Sequence, residues 1–510
     1  MSAPAGSTPT PTAATDRWQP DDSWLAGIVL AVITFWLFAQ TLLNIIPGIS
    51  QDLALTGTVA NLAVSITSLF SGCFIVVAGG LADRLGRGLI MRIGLILSII
   101  GSAFVVLPVT GDVAAVTMLT GRIIQGLSAA CIMPSTMALV KTFYEGRQRQ
   151  RALSFWSIGS WGGSGLCSLF GGAIAASFLG WRTIFYISIV LCLISLFLTR
   201  RTPVSKAPAT TERHGFDWSG LIAFVISMVA INVYISQGPQ IGWLSVAGFA
   251  LIAVFLIAGV TFLRIETKQG APFMDLGLFS NRTFSGATLS NFLLNGAAGT
   301  LIVALGLVQV AAGFTALQSG LLTIGYLVAI VGTIRVGEKL LQRFGPKKPM
   351  MWGTMITGVG ILLTSATFLL VEQYIILAVV GFTLFGLGLG FYATPSTDAA
   401  LANVPDDKSG SAAGIYKMAS SLGAAFGVAI SAAIYAAGQT IDPSVIPLES
   451  IALGNQDNLA LRFGGALGLL FNVLMVVIAL ISIMVTVPSE REKQEEQARP
   501  EVPSTPMLGS

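Results

Sequence analysis

A chain of 510 residues with 54% hydrophobic and only 10% charged residues cannot be a soluble globular protein, in which about a quarter of residues carry charge. Its mean hydropathy of +0.80 is that of a polypeptide crossing the bilayer many times. The formal net charge of +4 gives nucleic acid no hold, and one histidine with four cysteines at no ligand spacing excludes a metal site.

The first 22 residues are polar and rich in Pro, Thr and Ala, with no apolar core of the signal-peptide kind, and predict a disordered tail. A helix needs about 20 apolar residues to cross hydrocarbon. By that test fourteen spans are predicted, near 24–46, 58–80, 89–108, 113–138, 153–178, 183–199, 218–236, 245–264, 284–308, 317–336, 350–370, 373–396, 411–436 and 462–486. The 57 glycines suit helices that pack closely through small residues. Cys73, Cys131, Cys167 and Cys192 fall inside apolar runs and read as small buried hydrophobes. A Glu- and Pro-rich tail, 488–510, closes the chain.

Residues 79–87, G-G-L-A-D-R-L-G-R, place Asp83, Arg84 and Arg87 in a glycine-bracketed turn between two membrane-length runs. Unpaired backbone in hydrocarbon costs several kcal/mol per group, so both flanks must be helices and the turn must lie at a membrane face. Nearly all of the 28 Lys and Arg residues share that face, among them Arg92, Lys141, Arg147, Arg149, Arg151, Arg200 and Arg335. The opposite loops hold Arg182 and Arg462 beside Asp52, Asp112, Glu372 and Asp442. Positive charge marks the cytoplasmic side, which predicts cytoplasmic termini. A degenerate copy of the turn, Leu340-Leu-Gln342-Arg343-Phe-Gly345, lies on the same side. Repeats of six helices are an architecture of secondary transporters. The predicted organisation is a six-helix bundle at 23–200, linkers with an inserted helix pair at 201–283, and a second six-helix bundle at 284–487.

These residues resemble the major facilitator superfamily. The turn at 79–87 matches its cytoplasmic signature, with Gly88 in place of the usual basic residue. Arg122-Ile-Ile-Gln125-Gly126 looks like its second signature. Gly163 to Gly172 occupies the place of its antiporter signature, with Cys167-Ser168 where Gly-Pro is usual. Fourteen helices point to the drug:proton antiporter branch, and four runs resemble its Nor-type quinolone and multidrug efflux pumps. They are L-S-A-A-C-I-M-P at 127–134, W-S-I-G-S-W-G-G-S-G at 156–165, S-N-F-L-L-N-G at 290–296 and Y-A-T-P-S-T-D at 392–398. The resemblance implies an all-α major facilitator fold and a monomer in a bacterial cytoplasmic membrane. It further implies export of amphipathic drugs such as quinolones, quaternary ammonium compounds and dyes. Protons would drive that export, with no cofactor. An exporter of an endogenous metabolite fits the same fold.

Within that frame Asp83, Arg84, Gly86 and Arg87 are expected to form a conformational latch. Arg122 is the one basic residue well inside a span, where charge normally faces a partner or a cavity, and it is expected to help couple protonation to substrate release. A proton antiporter needs a carboxyl group responsive to conformation, yet the first span offers only Gln40 and Asn44. Asp398 is the leading proton-coupling candidate, with Lys417 as its expected partner and Asp52 as an outer alternative. Asn291 and Asn295, four apart, share a helix face, as do Gln40 and Asn44. With Trp36, Phe292, Tyr392 and Tyr416 they are the expected substrate wall. Nothing suggests catalysis: His214 lies in a linker, and no phosphate-cradling G-x-x-x-x-G-K-[ST] loop is present.

Overall fold

The computed structural model describes residues 18–489 except 40, 164–169, 172, 175–176, 206–216, 269–273, 315, 370, 403, 439–440 and 443–457. Gln40, Cys167, His214, most of both tails and the side chain of Asn44 therefore lie outside the described residues.

Helices carry almost all of the described chain, as they must where backbone groups have no water to pair with. The first half contains Asp22–Ala39 (α1), Thr41–Leu53 (α2), Gly57–Leu85 (α3), Arg87–Val105 (α4), Gly111–Phe143 (α5), Gly146–Ser157 (α6) and Arg182–Leu198 (α7). A π-helical turn, Ile158–Gly162, continues α6. An antiparallel pair, Trp218–Ile241 (α8) and Val246–Lys268 (α9), follows. The second half contains Arg282–Gly296 (α10), Gly299–Ala312 (α11), Ala316–Leu321 (α12), Ile324–Phe344 (α13), Lys347–Thr364 (α14), Val371–Ala402 (α15), Ser409–Gly438 (α16) and Leu459–Thr486 (α17).

Among the described residues ten helical stretches are long and apolar enough to cross a membrane, and Asp22–Leu37 and Arg182–Leu198 are shorter apolar helices. Several of the fourteen expected spans map onto pieces. The span at 24–46 divides between α1 and α2, and the span at 153–178 runs onto residues outside the description. The span at 284–308 divides into α10 and α11. There the N–H of Ala298 reaches back to Asn295 O and that of Thr300 to Ala297 O, tight turns in place of the α-helical ladder. Trp18, which composition places in the first tail, packs edge-on against Phe143 at 5.0 Å and Trp24 at 5.7 Å.

Each half packs mainly within itself: α4 and α3 on α5, α1 and α4 on α7, then α13 and α14 on α15 and α10 on α16 and α17. The halves meet along α3 with α16, α5 with α16, and α6 with α13 and α15, while α8 leans on α3 and α16. Glycines set the closest of these crossings. A Cβ at Gly79 would fall 2.3 Å from Gly410 O, and one at Gly410 would fall 2.4 Å from Gly79 O. Backbone meets backbone there, and no other residue fits.

Candidate functional site

The site begins where α3 ends. Gly86 has φ 122°, a conformation glycine adopts freely and other residues do not, and its N–H closes the helix on Ala82 O. The chain turns at once into α4, which brings Arg87 back over Asp83. Both are buried, and the Arg87 fork grips Oδ1 of Asp83 through Nε at 3.0 Å and Nη2 at 2.9 Å. The same carboxylate accepts the N–H of Gly410 on Oδ1 and of Ser411 on Oδ2, both at 3.0 Å. Those donors are in the first turn of α16, where backbone N–H groups have no partner in their own helix and the helix dipole favours an anion. An acid of the first half thus caps a helix of the second.

Further contacts close the same face. Arg87 also donates to Thr142 Oγ1 and to the carbonyl of Asp406. Lys141 donates to the carbonyl of Val404 and lies 3.4 Å from the Asp406 carboxylate. Arg149 pairs with Asp398 at 3.1 Å. Arg84, expected in the latch, is exposed and takes no part in this network. At the degenerate copy, Gly345 again has positive φ, but Gln342 bonds Glu338, one turn back in its own helix, and no residue of the first half among the described residues.

Inside the first half, Arg122 is completely buried. Its Nε donates to Ala63 O at 2.8 Å and its Nη1 to Gln125 Oε1 at 2.9 Å, while Gln125 donates to Ser102 Oγ. The guanidinium ties α3, α4 and α5 together. Asp52 lies at the end of α2, where it accepts from Trp181 Nε1 at 2.9 Å and Arg182 Nη1 at 2.7 Å. The indole N–H first and the arginine second hold its carboxyl below the usual carboxylate range.

The expected pairing of Asp398 with Lys417 needs correcting. Asp398 is gripped by Arg149, whereas Lys417, buried on α16, donates to Ser160 Oγ at 3.2 Å and lies 5.1 Å from the ring of Trp156. Helical spacing let the two candidates meet, but the two residues face different neighbours.

The expected substrate wall also divides. Asn291 is fully buried and its amide is committed to Tyr416 O at 2.9 Å and Ser420 Oγ at 2.6 Å. Asn295 donates to Asn291. Tyr392 and Tyr416, both buried, share a hydroxyl chain with Ser290 and Ser396 at 2.7–2.9 Å. These four residues knit α10, α15 and α16 into one block and present no wall. Phe292 and Trp36 are half-buried, Phe292 beside Phe426 and Trp36 beside Phe35. The indole N–H of Trp36 meets no acceptor among the described residues. Lys141, Thr142, Arg149, Asp406 and Ser160 were not foreseen as site residues. Their basic members read in sequence only as topology charges.

A family model described as Major Facilitator Superfamily matches residues 28–286 and 287–508. Quinolone resistance protein NorB of Staphylococcus aureus strain MRSA252 is 47% identical over 479 residues, covering 94% of this chain and 98% of that protein. NorB of strain COL matches at the same identity and coverage. Among solved structures, the proton:xylose symporter XylE bound to 6-bromo-6-deoxy-D-glucose superposes with TM-score 0.62 at 17% identity, over 92% of this chain and 96% of its own. The human organic anion transporter MFSD10 (TETRAN) superposes with TM-score 0.58 at 15% identity, over 91% and 100%.

Proposed function

The chain belongs to the major facilitator superfamily, and from that premise we propose that it is a proton-coupled efflux antiporter for amphipathic drugs, quinolones first, working by alternating access in a bacterial cytoplasmic membrane. It is a multi-pass membrane transporter and not an enzyme. The observation that carries the mechanism is the capping of α16 by Asp83 across the halves. With the basic face taken as cytoplasmic, this contact holds the inner gate shut while the outer side releases drug. Opening the inner gate requires Gly410 and Ser411 to leave the carboxylate, and closing restores them. The similarity to NorB supports quinolones and related drugs as cargo.

In this reading Asp398, at the closed face and tied to Arg149, is the carboxylate placed to change partners as the face opens. Arg122 fixes the frame of the first half while it moves. Asp52, already held in its charged form by two donors, serves as an outer clasp. The test uses everted membrane vesicles with an imposed pH gradient. Adding a quinolone should collapse the gradient in wild-type vesicles and not in vesicles carrying Asp83→Asn. Drug movement that needs ATP, or that ignores the gradient, would refute antiport.

A further inference from the structure

The basic groups that close the inner face are matched by acids, whereas Lys417, deeper in the molecule, has no such match among the described residues. Arg87 holds Asp83, Arg149 holds Asp398 and Lys141 lies beside Asp406. Lys417 is as buried as these, with side-chain surroundings that are neutral. Its Nζ donates to Ser160 Oγ and sits over the Trp156 indole. No carboxylate among the described residues forms an ion pair with it. Residues 153–178, the stretch that carries Trp156 and Ser160, contain no Asp or Glu.

Such a charge is unusual. An ammonium has three donors, and one hydroxyl with an aromatic face does not replace the water it lost. Buried ions are retained where a counter-charge arrives to meet them. The position is suited to that. Lys417 projects from α16 of the second half, while Ser160 and Trp156 belong to the first, so the ammonium lies across the plane on which the halves separate. Ser160 sits in the π-helical turn Ile158–Gly162, a widened form of helix that recurs at functional sites. Trp161 in the same turn stands edge-on to Tyr392 of the second half, ring centres 6.3 Å apart. A cation with unused donors, set over an indole at the moving interface, matches an aromatic acid: the carboxylate accepts from the ammonium and the ring system packs beside Trp156.

We propose that Lys417 binds the carboxylate of the exported compound, so that amphiphiles carrying an acid group are preferred cargo and the substrate supplies the counter-charge that the protein withholds. This rests on the efflux reading above and adds the substrate class.

The experiment measures binding of three probes to purified full-length protein by equilibrium dialysis: a fluoroquinolone acid, its methyl ester, and the permanent cation ethidium. Wild type should bind the acid at least about tenfold tighter than the ester. Losing one partner of a buried charge pair costs about 2 kcal/mol or more, so Lys417→Gln should weaken the acid at least about thirtyfold. The ester and ethidium should change by less than about threefold, and their retained binding reports a folded protein. Lys417→Arg should keep most of the acid affinity. Equal loss of acid and ester in Lys417→Gln, or no loss of either, overturns the proposal. So does a wild type that binds acid and ester alike, a comparison that stands even if the variant does not fold. Vesicle export of the same probes separates the two readings. A wild type that binds the acid selectively but exports nothing refutes efflux and leaves the binding site standing. A wild type that exports all three, with acid and ester equally sensitive to Lys417→Gln, refutes the site and leaves efflux standing.

Discussion

Replacing Asp83 by Asn should unlatch the inner face without unfolding the protein. Asp83 accepts two bonds from Arg87, within its own half, and two from Gly410 and Ser411 of the other half. Only the second pair differs between a closed and an open face. Hydrogen bonds to a charged group contribute about 1.5–3 kcal/mol each, so the two cross-half bonds hold the face shut by about 3–6 kcal/mol before compensation. Asn retains one neutral acceptor and loses the charge that favours a helix N-terminus. A net shift of about 2–4 kcal/mol toward the open face is expected, which is about thirty- to a thousandfold in the equilibrium. A single cysteine at Ser411 offers the assay, since in everted vesicles it should react with a membrane-impermeant maleimide far faster when Asp83→Asn is also present than when Asp83 is kept. Drug export should fall to the vector background while the amount of protein in the membrane is unchanged. Wild-type labelling and wild-type export together in Asp83→Asn would refute the reasoning.

Gly410→Ala places a methyl 2.4 Å from Gly79 O and 2.7 Å from Asp83 Oδ1; neither can retreat far, so the inner face should stay ajar and export should fail, and full activity would show that the close approach is dispensable. Arg122→Ala leaves Ala63 O and Gln125 Oε1 without this donor at about 1–3 kcal/mol per orphaned acceptor; the thermal midpoint in detergent should drop and export should be lost, and a variant matching wild type in both would sink the role. In Asp52 the folded-state pKa is depressed below the usual 3.8, so the stability this clasp adds is complete above that value and lost as pH falls through the lower folded one. Tryptophan fluorescence should therefore report no change at the outer clasp between pH 7 and pH 5, and a transition inside that window that disappears in Asp52→Asn would contradict the assignment. For Arg149 and Asp398, a double-mutant cycle on export should give coupling between Arg149→Gln and Asp398→Asn, and strictly additive losses would separate them.

Much of the latch was legible because its chemistry is local. Asp83 and Arg87 are four apart, the glycine between them forces the turn, and both flanks are too apolar to be anything but helices. What the acid caps was not legible. Gly410 and Ser411 carry no side-chain signal, and a backbone N–H is recognised as a partner only when two distant helices are seen together. The same limit misplaced Lys417 beside Asp398, because helical spacing gives the face of a residue but not which half of the molecule faces it. Asn291, Tyr392 and Tyr416 were read as walls because amides and phenols inside a bundle serve equally as lining or as ties. In this structure their hydrogen bonds make them ties. The break of 284–308 at Ala297 was hidden because no proline marks it; the apolar run continues unbroken through the bend.

The two copies of the turn show how a duplicated fold can close with one latch. Both reverse the chain through a positive-φ glycine, Gly86 and Gly345. Only the first keeps an acid at the position that reaches across. The pair of Asp83 with Arg87 forms within one half, so opening does not have to break it. What opening must break is the cap on α16, the Arg149–Asp398 pair, and the grip of Arg87 and Lys141 on the chain at 404–406. Were Gln342 an acid, the second half could cap a helix of the first, and the closed face would be held by a further amount of the same size. Two such caps would make the inner face harder for a ligand to open, since a ligand shifts an equilibrium only by its differential affinity for the two states. A single cap therefore keeps the closed state within reach of one bound ligand, and Gln342→Asp should slow export by favouring the closed face.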